Sequence, residues 1–197
     1  DATPPAFFDA EVPGEVKLKE LTIVPQDATL GVDVGQTNPT LPFKAQGVTV
    51  DGKVVDKVTG VWSFSRFDVA AFVDDVLTPT GFVGGTGEVV VKAGGLTAKT
   101  KATVRLRMNV GEVPSPVQSA AFATATDTDP SLTVVYPYAG TVFPRGLPGP
   151  LFQWTGGGAN GFFKIQAKSA TFEYTAYATV ASANGEYAFP KLPIDAW

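Results

Sequence analysis

Cysteine and histidine are both missing from these 197 residues, and methionine occurs once. Without cysteine there is no disulfide framework, thiolate zinc site, iron–sulfur cluster or thiol nucleophile, although the lack does not locate a compartment, since many envelope proteins also dispense with it. Without histidine the chain has neither the commonest general base nor the commonest transition-metal ligand, and no Ser-His-Asp triad can be built. Charge is sparse as well. Only 17% of the residues are Asp, Glu, Lys or Arg, and 15 basic against 19 acidic side chains leave a net charge of −4, which offers no field to draw nucleic acid or an anionic membrane. No run approaches the roughly 18 consecutive apolar residues of a membrane span. The chain opens DATPPAFFDAEVPGE, with no Met, basic n-region or apolar h-region, as expected of a mature or excised product.

What is plentiful points to strands and turns. A hydrophobic fraction of 44% supplies a core, while 21 Gly and 16 Pro supply frequent chain reversals, so the chain reads as all-β and globular. Its length accommodates one large domain or two small ones at the usual size of roughly 100 to 150 residues. Residues 1–16 are rich in Pro, Ala and acid without periodicity, and read as an extended leader or linker. From Lys17 onward, LTIVP, TLGVDVG and TLPFKAQGVTV are short alternating runs separated by Pro and Gly, the pattern of sandwich strands. Asp51-Gly52 is a dipeptide that favours a hairpin turn. In residues 96–108, LTAKTKATVRLRM, the residues Ala98, Thr100, Ala102, Val104, Leu106 and Met108 share one parity, and Lys99, Lys101, Thr103, Arg105 and Arg107 the other. That predicts a strand with one buried face and one basic face. The basic row could be an anion-binding stripe; a solvated face that discourages sheet-to-sheet aggregation is the expected reading in so acidic a chain.

The order LTIVP…TLGVDVGQT…FKAQGV…DGK…VWSFS…DVAAF…TGFVGGTGEVVVKAGGLTAKTKATV resembles a bacterial Ig-like domain of group 2, as found along invasin- and intimin-type adhesins, over about residues 17–110. The resemblance implies a β-sandwich with Trp62 as its core tryptophan and Gly81, Gly84 and Gly87 shaping turns, and it brings no catalytic residues. Residues 111–130, GEVPSPVQSAAFATATDTDP, are Pro-, Ala-, Thr- and Ser-rich with little periodicity, as a linker between two domains is. Asp127 and Asp129 in that stretch are a weak calcium candidate, because calcium takes about six to eight oxygens and two carboxylates do not form a cage.

From Ser131 the runs SLTVVYPYAG, LFQWTG, FFKIQAKS and FEYTAYATV read as strands separated by Pro- and Gly-rich loops. YPYAGTVFPRGLPGPLFQW resembles the opening of fibronectin type III-like domains, and in particular a unit of large secreted lipoproteins of gliding, predatory bacteria. Residues 131–197 fall short of the about 100 residues of a full sandwich. Two explanations stay open: a fragment of a longer parent chain, or a second sheet completed in trans by strand exchange in a homo-oligomer or with another partner.

The candidate binding residues are Tyr136, Tyr138, Phe143, Arg145 and Trp154. Aromatic faces stack on sugars and proline-rich peptides, and an arginine on the connecting loop could add a bidentate contact to an acid. The expected reading is that these rings, with Phe172, Tyr174 and Tyr177, fill a thin sandwich core with exposed tyrosines on its loop flanks, and Tyr174 and Tyr177 have opposite parity, so at most one points inward. For catalysis, Asp74-Asp75 and Glu88 are not forced together by their spacing, and GFVGGTGE is neither a Walker loop nor a dinucleotide fingerprint; it reads as a tight turn. The expected architecture is therefore all-β, two tandem Ig-like β-sandwich domains with the second incomplete: a leader over 1–16, an Ig-like domain over 17–112, a linker over 113–130 and a partial fibronectin type III-like domain over 131–197. The expected role is a non-catalytic spacer or adhesion segment of a bacterial cell-surface or secreted protein, not an enzyme, with no cofactor, no metal, no nucleic-acid partner and no membrane span. An extracellular glycan or protein is the expected partner, and a carbohydrate- or peptide-binding module is the alternative.

Overall fold

Alternation along residues 96–111 builds the strand on which the fold is assembled. In the computed structural model, which describes residues 17–126, 129–143, 149, 151–180 and 184–188, one strand runs from Leu96 to Gly111 with Ala98, Thr100, Ala102, Val104, Leu106 and Met108 buried. Lys99, Lys101, Arg105 and Arg107 lie exposed on its other face.

In chain order the elements are β1 (Leu18–Val24), β2 (Ala28–Asp33), β3 (Leu41–Pro42), β4 (Lys44–Thr49), β5 (Val54–Val55), β6 (Val61–Phe64), β7 (Ala70–Val73), β8 (Val76–Pro79), β9 (Gly85–Ala93) and β10 (Leu96–Gly111). There follow α1 (Pro116–Thr124), β11 (Thr133–Tyr136), β12 (Leu151–Thr155), β13 (Gly161–Lys168), β14 (Phe172–Val180) and β15 (Gly185–Ala188). The chain is all-β in class, with a sandwich architecture. β10 lies in a sheet ordered β13-β14-β10-β9-β6, with β2 also paired to β10. Three smaller sheets, β1-β4-β5, β3-β8-β7 and β11-β12-β15, make up the rest.

β10 changes partner partway along. From Leu96 to Val104 it pairs antiparallel with β9, and from Leu106 to Gly111 it pairs parallel with β14. β2 adds parallel over Ala102–Arg107. The seam between β10 and β14 opens with the Leu106 amide donating to the Thr171 carbonyl (3.0 Å) and ends with the Glu112 amide donating to the Tyr177 carbonyl (2.9 Å). The Glu112 carboxylate then accepts from the Thr179 amide (2.7 Å) and hydroxyl (3.1 Å). The N-terminal and C-terminal units expected from the sequence are thus joined through one sheet, and a single hydrophobic cluster runs from Ile23, Val32 and Leu77 through Val104 and Leu106 to Trp154, Ile165 and Tyr174.

Glycine brackets that seam. A Cβ on Gly84 would fall 2.2 Å from the Thr171 carbonyl oxygen, and one on Gly111, which has φ +85°, would fall 2.2 Å from that of Tyr177. No side chain fits at either point because the neighbour is backbone, which cannot swing aside.

Several local expectations meet corrections. The hairpin at Asp51-Gly52 forms between β4 and β5, but its loop is closed by the Thr49 amide donating to the Lys53 carbonyl, and of its residues only Gly52 has positive φ. Gly81 does shape a turn at φ +85°, whereas Gly87 lies within β9, where a Cβ would meet the Phe64 ring at 2.5 Å. GFVGGTGE is therefore partly strand: β9 starts at Gly85, and its glycines admit neighbouring rings and backbone. Trp62 sits half-buried on β6, packed against Phe43 (6.1 Å) and Phe72 (5.3 Å) at the margin of the core.

The segment expected to be unperiodic linker contains α1. Ser115 caps it by accepting from the Gln118 amide (3.3 Å), and the Gln118 side chain accepts from the Ser115 amide (2.8 Å), a capping box with Pro116 in the first turn. None of its residues is fully buried; Phe122 holds it to the outside of the β13–β14 pair, at 6.0 Å from Phe162 and 5.8 Å from Tyr177.

The tight passage at Gly84 is testable. Gly84→Ala should destabilise the chain by about 2 kcal/mol or more, as a backbone clash in a packed region does, and should lower the urea midpoint. An unchanged midpoint would mean that β14 does not approach the start of β9 so closely.

Candidate functional site

Three of the five binding candidates come together. β11 and β12 pair with Val134 opposite Trp154, then a bulge shifts the register so that Tyr136 faces Gln153. Tyr136 therefore lies on the face opposite to Trp154. There it meets Tyr138 edge-to-face at 6.1 Å and Phe143 edge-to-face at 6.4 Å. The Tyr138 ring is 73% exposed and the Thr141 hydroxyl and amide both donate to its carbonyl, a local turn that presents the ring to solvent.

Trp154 belongs to the other face. It is 3% exposed, packed against Phe163 (5.0 Å) and Phe152 (6.1 Å), and lies over Gly185 of β15 so closely that a Cβ there would come 2.2 Å from its six-membered ring. Its indole Nε1 is buried without a hydrogen-bond partner. Trp154 thus cannot share one stacking platform with Tyr138. Arg145 and Asp127 lie outside the described residues.

Asp129 is occupied in a turn: its carboxylate accepts from the Ser131 amide (2.8 Å) and hydroxyl (2.6 Å), and those bonds hold its pKa below the usual carboxylate value. Among the described residues no group of three or more Asp or Glu side chains is gathered as a metal cage. The acids considered for catalysis face different basic partners, Asp75 with Lys57 (2.8 Å) and Glu88 with Lys99 (2.9 Å). Asp74 occupies a tight β7–β8 turn at φ +54°.

The opposite parity of Tyr174 and Tyr177 is realised in full. Tyr174 is buried, its hydroxyl 3.1 Å from that of Tyr187, and burial pushes its phenol well above the usual tyrosine pKa. Tyr177 lies outside, stacked on Phe162 at 6.0 Å and 11°.

One feature escaped sequence reasoning. Between β11–β12 and β13 lies a half-open apolar groove of about 270 Å3, walled by Leu132, Val134, Phe152, Trp154, Phe163 and Ile165. Its signal in the sequence is the alternation of Leu132 and Val134 with FFKIQAK, but those residues read as ordinary core.

The two aromatic environments predict different responses. Trp154→Ala should cost about 3–5 kcal/mol, as expected for a large ring removed from a packed core. Tyr138→Ala should stay within about 0.5 kcal/mol of the parent, as exposed substitutions do. Chemical denaturation followed by circular dichroism reads both, and comparable losses would place Tyr138 in the core.

No family model matches the chain, and no curated protein matches it. Among solved structures it is similar to domains 5–6 of the S-layer protein SbsC at 11% identity, with a TM-score of 0.33, over 85% of this chain and 86% of that one. A likeness at that score carries no argument about fold or function, so the resemblance of residues 17–110 to group 2 Ig-like domains rests on its sequence motifs.

Proposed function

We propose that the chain is a non-catalytic spacer or adhesion segment of a bacterial cell-surface or secreted protein. The observation that supports this most is β10: sixteen residues, roughly 50 Å of extended chain, hydrogen-bonded first to β9 and then to β14. A strand that is hydrogen-bonded to both units within one sheet resists bending between them far better than a flexible tether does, as a stalk segment requires. Helix α1, which follows β10 in the chain, is held by Phe122 against Phe162 and Tyr177 on the C-terminal unit. No helix among the described residues is long and apolar enough to cross a membrane.

A carbohydrate- or peptide-binding module is the second reading, and the exposed Tyr138 ring braced by Tyr136 favours it. Glycan-array binding lost on Tyr138→Ala, with the fold intact, would replace the spacer reading by this one.

Single-molecule stretching between the chain ends tests the spacer reading directly. The expected record is one force-bearing rupture that releases the contour length of both units together. Two separate ruptures, with slack between them, would show the units to be independently tethered and would overturn it.

A further inference from the structure

The C-terminal unit is closed on one side and open on the other. β14 has β10 beyond it, but among the described residues β13 pairs only with β14, and β11 only with β12. These two edges belong to facing sheets: Trp154 on β12 packs against Phe163 on β13, and Tyr187 on β15 meets Tyr174 on β14. Their shared margin is where the groove of about 270 Å3 lies.

Side-chain parity shows that this margin stands open among the described residues. Val134 stands directly opposite Trp154 in the β11–β12 ladder, so both point to the same inner face. Yet Trp154 is 3% exposed while Val134 is 51% exposed, and Leu132, of the same parity, is 40% exposed. Inward-facing aliphatic residues this open lack the neighbour that would cover them. The groove lies below the roughly 300–1,000 Å3 of sites that enclose drug-sized ligands, so it suits a few side chains better than a whole organic molecule.

The chemistry of the rim selects the occupant. Beside the groove runs the backbone edge of β13, eight residues long and unpaired among the described residues, and a row of alternating amide donors and carbonyl acceptors is matched most completely by another peptide backbone. The strand Gly161–Lys168 carries two lysines and no acid. Lys168 is tied to Glu173 at 3.0 Å, whereas Lys164, which borders the groove, has no ion pair among the described residues. A second copy that presented its own β13 would bring basic strand against basic strand, which cross-strand electrostatics disfavours.

We infer that the β11–β13 margin is an acceptor site for one extended β-strand of another polypeptide. Apolar side chains of that strand enter the groove at every second position, and an acidic residue of the intervening parity meets Lys164. This goes beyond the spacer reading and does not depend on it: failure of the site leaves the β10 seam untouched.

The test uses the full chain and a fluorescein-labelled nine-residue peptide alternating valine and glutamate, read by fluorescence polarisation. The expected result is saturable binding that weakens at least tenfold when lysine replaces glutamate in the peptide. Val134→Asp, at a half-exposed position, should weaken binding at least tenfold while leaving the circular dichroism spectrum and urea midpoint in place. Lys164→Glu should turn the preference toward the lysine peptide. Absence of binding, equal binding of a proline-interrupted peptide, or indifference to both substitutions would overturn the proposal. Two other occupants would overturn it as well. Sedimentation showing a dimer lost on Val134→Asp would make the occupant a second copy. Hydrogen exchange showing the outer β13 amides protected in the free chain, and released on removal of residues 189–197, would make it a segment of the same chain.

Discussion

Everything in this fold is referred to the register of β10. Its pleat buries six consecutive even-numbered side chains, from Ala98 to Met108, against partners from β9 on one stretch and β14 on the next. A slip of one residue would expose Val104 and Leu106 and drive Arg105 and Arg107 into the core, so the register is fixed by burial on both sides of the junction at once. The change from an antiparallel to a parallel neighbour happens between Val104 and Leu106, and there the chain has Gly84, where β9 has not yet begun and β14 passes closest. The seam therefore depends on packing that tolerates no added atom.

The exposed face of β10 follows from the same geometry, and three members of its basic row are held by neighbours. Lys99 reaches Glu88, Arg107 reaches Asp33, and the Arg105 guanidinium donates to the Ala170 carbonyl. Each contact is to the strand or loop alongside, one on β9, one on β2 and one before β14. Exposed pairs of this kind contribute about 0–1 kcal/mol each. Those three charges are committed locally all the same.

Local periodicity made much of the fold legible. The two-residue alternation of β10, the strand over FFKIQAK and the opposite parity of Tyr174 and Tyr177 all appear as the sequence implied. What stayed hidden was either non-local or masked by composition. The pairing of β10 with β14 joins segments some sixty residues apart, and nothing in either run names its partner. Helix α1 was obscured because an Ala-, Thr- and Pro-rich stretch reads as linker, although Ser115-Pro116-Val117-Gln118 is a capping box in plain sequence. Gly87 looked like turn material because a glycine's reason can be a ring above it, here Phe64, as well as a bend. In the candidate site, crowding of aromatics did foretell the Tyr136–Tyr138–Phe143 cluster, but the bulge after Val134 sends Tyr136 and Trp154 to opposite faces, and a bulge has no reliable signature in one sequence.

The shortfall in length that the sequence implied for residues 131–197 now has half of a physical answer. A sandwich needs each sheet wide enough to cover the other, and the C-terminal unit contributes β13 and β14 to one side and β11, β12 and β15 to the other. On the β14 side the missing width is supplied within the chain by β10, which is why Tyr174 and Ala176 are fully buried although their own unit ends one strand away. On the β13 side no described strand does the same, and the cost is visible at Val134 and Leu132. The two margins obey one rule with opposite outcomes: where a neighbouring strand is present the inward side chains are covered, and where it is absent they stand half open.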